Sequence, residues 1–294
     1  MSCDIEFEDC VLFNVANSPY TAFSEEPAIA ITDVAGRQLV ALIHIPQSAS
    51  APVDYLKQYV SLGLAEDDVF CLQFLAGIIV FCDRKCGSID REDLPDSWKT
   101  SWVKMIPKDE LAHPPPPGPY VMSEGKLRYA LRLYDDDANA FSIACRMKRD
   151  REIVPLRIGS MCRNHNAVAV PSRLRFQPSD LQPLNGTRIT VKDIFDIKGF
   201  KTSLGSREYL KMYPPASETA TGISALIDAG CQILGLSQMG SMVLKQEPTQ
   251  SIEFLAPFNP RADGWQSPSG GSSGQACAVA SYDWLDISIG SDCE

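Results

Sequence analysis

The stretch that decides the fold is Ser267–Ser281, which reads SPSGGSSGQACAVAS. Its first half has the composition of a flexible linker, because glycine and serine bury little surface and lose much backbone entropy on ordering. Its second half is a run of small apolar residues, which is typical of a buried helix. A glycine-rich loop that leads into a helix can direct backbone N–H groups at an anion or at developing negative charge. We therefore expect a shaped loop inside a folded core.

The segments around this stretch alternate between strand and helix patterns. Arg188–Gly199 predicts a strand that its last glycine ends, and Ser217–Gly230 predicts a helix capped by its first residue and stopped by its last. Cys231–Ser237 predicts a short buried strand, and Trp284–Asp292 predicts another. A helix between short apolar strands favours an α/β fold with a packed central sheet.

The N-terminal half has a different pattern, in which two hairpins enclose further elements. Ala28–Thr32 and Gln38–Ile45 predict the first hairpin, and Gly125–Tyr134 with Ala140–Met147 predicts the second. The proline run His113–Tyr120 fits either a polyproline II ligand for an aromatic groove or a rigid loop that enters the second hairpin. The adjacent strand pattern favours the loop, and this half predicts an α+β unit.

Prolines punctuate the chain after the second hairpin, as in Pro171–Gly186. Such a stretch between two regularly patterned regions indicates a domain boundary. We predict an N-terminal accessory α+β domain at 1–150, a linker at 151–182 and a second domain at 183–294.

The composition excludes several classes of protein. The chain has 294 residues, of which 45% are hydrophobic and 22% charged, as in an ordinary globular protein. Its net charge of −10 disfavours non-specific binding to nucleic acid. The apolar run Cys71–Cys82 fits a core helix or strand and is too short to cross a bilayer. No secretory signal pattern is present, so we expect a cytoplasmic protein without nucleic-acid or membrane partners.

The ten cysteines are spread thinly through the chain, which predicts reduced thiols rather than a disulfide framework. Cys82 and Cys86, in FCDRKC, could begin a metal site. No second cysteine or histidine pair has the spacing that would complete it. We therefore expect neither a metal nor a cofactor.

Three motifs follow one another in the C-terminal half: VKD at 191–193, GGSSG at 270–274 and the terminal strand ISIGSD at 287–292. In this order they resemble the amidase signature family, particularly its fungal members, over Pro183–Asp292. The resemblance implies the N-terminal part of an amidase-signature fold, which is a mixed central sheet covered by helices. It also implies hydrolysis of the C–N bond of small amides by a Ser, cis-Ser, Lys triad.

The resemblance assigns two catalytic residues within the chain. Lys192 matches the triad lysine and Ser272 the cis-serine. A lysine can act as a general base only as the neutral amine, which would accept the Ser272 proton while Ser272 takes one from the attacking serine. Gly270, Gly271 and Ser273 are expected to shape the loop. The alternative from the residues alone is a surface lysine that pairs with an acid and a loop without function.

The chain departs from the family pattern in two places. Asp292 begins an Asp-X-Gly-Gly-Ser segment in the family, whose N–H groups form an oxyanion hole and whose serine attacks the carbonyl. Here Glu294 replaces the first of those glycines, and Ser288 and Ser291 do not match the attacking position. We therefore expect this 294-residue chain, truncated before the nucleophile, not to hydrolyse amides. The second departure is GLSQ at Gly235–Gln238, which affects pocket lining or loop support.

Two functions remain open at this stage. The first is a serine-dependent amidase lineage with a small-molecule amide as substrate and a homodimer as candidate assembly. The second is a non-catalytic binding or interaction protein that retains amidase-like architecture. The segment that follows Asp292 in the reading frame distinguishes them.

Overall fold

The computed structural model describes residues 10–24, 36–123, 126–156, 158, 166–243, 251 and 253–291. These residues form two compact units, one within 1–133 and 170–176 and the other within 134–169 and 177–294. None of the helices in the described ranges has the length and apolar character needed to span a membrane. The strands are β1 (Cys10–Val15), β2 (Ser18–Ser24), β3 (Gln38–His44), β4 (Gly77–Cys82), β5 (Trp102–Pro107), β6 (Gly118–Ser123), β7 (Lys126–Asp135), β8 (Phe141–Met147), β9 (Ile153–Pro155), β10 (Ala167–Pro171), β11 (Arg188–Lys192), β12 (Gln232–Ser237) and β13 (Ile287–Ile289). The α-helices are α1 (Pro52–Glu66), α2 (Arg207–Met212), α3 (Thr221–Asp228) and α4 (Ser273–Ser281), and short 3₁₀ helices lie at Leu72–Ala76, Arg91–Asp93, Asp96–Trp98, Lys108–Glu110, Arg173–Arg175 and Ser241–Val243.

The first unit is built on a sheet with the strand order β1-β2-β7-β6-β3-β4-β5. Strands β3, β4 and β5 are parallel to one another, and the other neighbours along this path are antiparallel. Helix α1 connects β3 to β4, as a parallel pair requires, and buries Leu56, Val60 and Gly63 at helical spacing. The apolar run at 71–82, which fitted either helix or strand, is a short 3₁₀ helix followed by the fully buried β4.

The second unit has a five-stranded sheet in the order β13-β11-β12-β8-β9. β11 is parallel to both β12 and β13, whereas β8 is antiparallel to its neighbours β12 and β9. Ile223 of α3 packs into the apolar cluster of this sheet. The predicted α/β class and the mixed central sheet are therefore confirmed.

Strand β11 is buried along its whole length but has two different faces. Ile189 and Val191 belong to the apolar cluster that includes α3. Because side chains alternate along a strand, Arg188, Thr190 and Lys192 lie on the opposite face. Thr190 Oγ1 donates a hydrogen bond to a carbonyl of β12 at 2.9 Å, which satisfies one of these buried polar groups. The sequence RITVK thus gives β11 a buried polar face, and Lys192 is the last residue on that face.

The predicted second hairpin is wrong in its pairing. Both of its strands exist, as β7 and β8, but β7 pairs with β2 and β6, and β8 pairs with β12 and β9. Alternating polarity identifies an antiparallel strand without specifying its partner. The turn itself is closed by the Asp136 carboxylate, which accepts the N–H groups of Ala140 and Phe141 at 2.8 and 2.9 Å. In the predicted first hairpin, the second strand is β3, and residues 28–32 lie outside the described residues.

The predicted strands of the second unit are β11, β12 and β13, but the helix at 217–230 begins later than expected. Helix α3 starts at Thr221 after Ala220, and Ser217 does not cap it. The Ala220 N–H donates instead to the Asp196 carbonyl at 2.9 Å, which ties this segment to the loop after β11. Gly230 stops the helix with φ +104°, a conformation that favours glycine.

The compact units do not follow the predicted division at 1–150, 151–182 and 183–294. Residues 134–169 cluster with the second unit, and 170–176 with the first. The predicted domain limits therefore remain a prediction, which limited proteolysis can test.

Candidate active site

Three parallel strands bring the candidate site together at their carboxyl ends. Lys192 is the last residue of β11 and pairs with Ser237, the last residue of β12. On the other side of β11, β13 ends at Ile289, two residues before Ser291. The Lys192 side chain has no solvent exposure. The carboxyl edge of a parallel sheet is where open α/β proteins place their ligands.

The lysine amine is held between two serine hydroxyls. Lys192 Nζ lies 3.0 Å from Ser272 Oγ and 2.8 Å from Ser291 Oγ. Ser272 Oγ also donates to the Ser291 carbonyl oxygen at 3.1 Å. Within this triangle a proton can pass between Ser272 and Lys192 without movement of the backbone. An amine within hydrogen-bond reach of a hydroxyl is the geometry that proton transfer between the two groups requires.

The glycines before Ser272 allow its loop to approach the lysine closely. Gly270 has φ +73°, in the left-handed region. A side chain at Gly271 would put its Cβ 2.8 Å from the Val243 carbonyl oxygen and 3.5 Å from Lys192 Nζ. The loop therefore needs glycine at one position for conformation and at the other for space.

Helix α4 begins directly after Ser272 and is anchored against the end of β12. Its first residue, Ser273, is fully buried. Gly274 N–H donates to the Gln238 carbonyl at 3.1 Å, and Gln275 Nε2 donates to Ser237 Oγ at 2.5 Å. The GLSQ segment thus supports the loop, one of the two roles expected for this departure from the family pattern.

Asp193 anchors the chain on the other side of Lys192. Its carboxylate accepts the Ser203 N–H at 3.0 Å and the Ser203 hydroxyl at 2.5 Å. Burial raises the pKa of Asp193, and the hydrogen bonds from Ser203 partly oppose that rise. The contact closes the loop that follows β11 and so fixes the direction in which the strand end, and with it Lys192, leaves the sheet.

The structure brings together most of the residues predicted from sequence. Lys192 and Ser272 are in contact, Gly270 and Gly271 precede the contact, and Ser273 begins α4. The predicted Asp292 lies outside the described residues. In the described ranges, no group of three or more His, Cys, Asp or Glu side chains is arranged to hold a metal ion.

The sequence does not predict the contacts made by Ser291, Asp193 and Gln275. Ser291 enters the sequence prediction only as a nearby serine that does not match the attacking position. Asp193 is visible in the VKD motif, but the motif alone indicates no role for it. No sequence signal identifies Gln275, because its partners lie at the end of a strand far away in the chain.

Comparison with known proteins shows which family the second half of the chain resembles. Residues 164–294 match the family model described as Amidase. This segment, which is less than half of the chain, is similar to the amidase family. Amidase 1 of rice is 36% identical over 115 residues, which cover 39% of this chain and 26% of the relative. Amidase 1 of Arabidopsis thaliana is 35% identical over 122 residues, which cover 42% of this chain and 27% of the relative.

A solved structure also resembles the amidase segment. It comes from a vestigial protein complex described in relation to the origins of an s-triazine catabolic enzyme. It is 32% identical, with a TM-score of 0.35, and covers 39% of this chain and 24% of that one. The chain thus spans roughly a quarter of the length of these relatives.

Proposed function

We propose that this chain contributes the proton-relay part of a serine-dependent hydrolase of small amides, with Lys192 as general base and Ser272 as relay. The observation that carries the proposal is the 3.0 Å contact between Nζ of the fully buried Lys192 and Oγ of the partly buried Ser272. A surface lysine paired with an acid, the alternative from sequence, does not fit complete burial. The match to the amidase family supports the assignment of C–N bond hydrolysis.

The relay works in two directions. A neutral Lys192 amine accepts the Ser272 proton while Ser272 takes the proton of the attacking serine, so that the attacking oxygen becomes nucleophilic. The burial of Lys192 favours the neutral form that this step requires. On collapse of the tetrahedral intermediate, the same proton returns through Ser272 to the leaving amine. The proposal assigns no attacking serine within residues 1–294; the family pattern places it after Asp292.

The test measures release of ammonia or amine from a panel of aliphatic and aromatic amides. The 294-residue chain is compared with a version extended through the family's Gly-Gly-Ser segment. We expect turnover only from a product that contains the Gly-Gly-Ser segment. In that product Lys192→Met and Ser272→Ala should each lower kcat/KM by about 10²–10⁴-fold, as loss of proton transfer does.

Lys198→Met is the matched control, because Lys198 is exposed and lies in the same loop region. It should leave kcat/KM unchanged. Retention of normal turnover in Lys192→Met would overturn the proposal. If no product turns over any amide while amides still bind by calorimetry, the non-catalytic binding protein becomes the better description. The cytoplasmic location, the fungal source and the homodimer stay predictions, and light scattering measures the last.

A further inference from the structure

The pair Cys82 and Cys86 lies in the first unit, far along the chain from the candidate active site. Cys82 is the last residue of β4, and the turn Asp83–Cys86 follows it. The Cys86 N–H donates to the Asp83 carbonyl at 2.9 Å, which reverses the chain directly after Cys82. The Cys86 thiol is close enough to the Cys82 thiol to contribute to the rise in its pKa. Both cysteines are free thiols.

The turn is held in place by its acidic residue. The Asp83 carboxylate accepts the Lys85 N–H at 3.0 Å and Gln47 Nε2 at 2.8 Å. These contacts tie the turn after β4 to the loop after β3. Cys86 therefore occupies a defined position relative to the end of β4 instead of a free loop tip.

The two thiols differ in their access to solvent. Cys86 is partly exposed and lines an open cavity of about 340 Å³ at the carboxyl ends of β3 and β4. Cys82 is only 4% exposed. Burial, with smaller contributions from the Cys86 thiol and its hydrogen bond, raises the pKa of Cys82 to about 11. A reagent that enters the cavity thus meets Cys86 first, with Cys82 behind it as a protonated thiol.

We propose that Cys82 and Cys86 form an oxidation site, at which hydrogen peroxide converts the two thiols into an intramolecular disulfide. The Cys86 sulfur attacks one oxygen of hydrogen peroxide, and the O–O bond breaks. The other oxygen leaves with the Cys86 proton as a water molecule, and Cys86 becomes a sulfenic acid. The Cys82 sulfur then attacks the Cys86 sulfur, the S–O bond breaks, and the Cys82 proton leaves with the hydroxyl group as a second water. Two thiols and one peroxide give one disulfide and two waters.

The sequence between the cysteines makes the reaction easy to follow. Arg84 and Lys85 are trypsin sites, so cleavage separates the two thiols unless a disulfide joins them. The full chain is treated with hydrogen peroxide, blocked with an alkylating reagent, digested and analysed by mass spectrometry. We expect the peptides 58–84 and 86–91 to be recovered as a linked pair that separates on reduction.

Variants identify the bond, because peptide 58–84 also contains the partly exposed Cys71. Cys71→Ser should keep the linked pair. Cys86→Ser should abolish it without loss of fold, since Cys86 is not buried, and circular dichroism checks this. The proposal is overturned if peroxide leaves the two peptides separate, if the link forms only between chains, or if Cys71→Ser removes it.

Discussion

The Nζ atom of Lys192 lies 2.8 Å from the Oγ atom of Ser291, which is shorter than its 3.0 Å contact with Ser272 Oγ. Ser291 is therefore a positioning residue for the lysine, and it does not need to attack the substrate to matter. It also donates its own N–H to Ser272 Oγ at 3.4 Å. Ser291, which follows β13, thus contacts both members of the proposed relay.

Removal of the Ser291 hydroxyl should destabilise the protein. In Ser291→Ala a buried hydrogen-bonding position of Lys192 loses its partner, which typically costs about 1–3 kcal/mol of the free energy of unfolding. Ser291→Thr keeps a hydroxyl and should retain most of the stability. Urea unfolding of the three proteins measures the difference. Equal midpoints for wild type and Ser291→Ala would show that the contact does not stabilise the site.

Gly271→Ala should displace the loop that carries Ser272. The added Cβ would meet the Val243 carbonyl oxygen at 2.8 Å, and overpacking of this kind costs about 1–3 kcal/mol. Gly222→Ala is the matched control, because Gly222 lies in α3 with no atom within 4 Å of the added carbon. There the change should stabilise the helix by about 0.5–1 kcal/mol. Thermal unfolding checks both signs, and a stabilising effect at 271 would contradict the steric argument.

Sequence motifs predict the parts of the site that depend on local chemistry. Lys192 stands out because it is a lysine at the end of a strand rich in β-branched residues. The glycines before Ser272 stand out because they indicate a backbone conformation that favours glycine. The contact between these residues spans 80 positions in the chain, and the ordered family motifs are what join them. Without that order, the pattern alone permits a surface lysine.

The pairing of strands cannot be predicted in the same way. β8 alternates in polarity as a hairpin partner of β7 would, yet it pairs with β12, whose residues lie about ninety positions later. Alternation records only that one face is buried, while the partner is chosen by packing across the whole unit. Likewise, the sequence misplaces the start of α3 because the Asp196 carbonyl, not a capping side chain, takes the Ala220 N–H.

The predicted boundary near residue 150 can be tested by limited proteolysis. Arg149 and Arg151 are exposed in the turn between β8 and β9, so trypsin should cut there first. Glu152 is exposed in the same turn, and a glutamate-specific protease should cut at the same place. Because β8 pairs with β12, we expect the nicked fragments to stay together in size-exclusion chromatography until urea is added. Earlier cleavage within β7 would contradict the boundary.

The buried carboxyl group of Asp193 should make stability depend on pH. Burial raises its pKa above the ordinary value of 3.8, so the native state holds this proton more tightly than the unfolded chain does. The contribution of Asp193 to stability is therefore fully present below pH 3.8 and is lost as the pH rises through the native pKa.

The variant Asp193→Asn keeps hydrogen-bonding atoms for both Ser203 groups and removes the titration. The free energy of unfolding of this variant, minus that of wild type, should increase with pH across that range. Asp136, whose pKa burial also raises, is present in both proteins and cancels in the difference. A constant difference for Asp193→Asn would show that its carboxyl group ionises alike in both states.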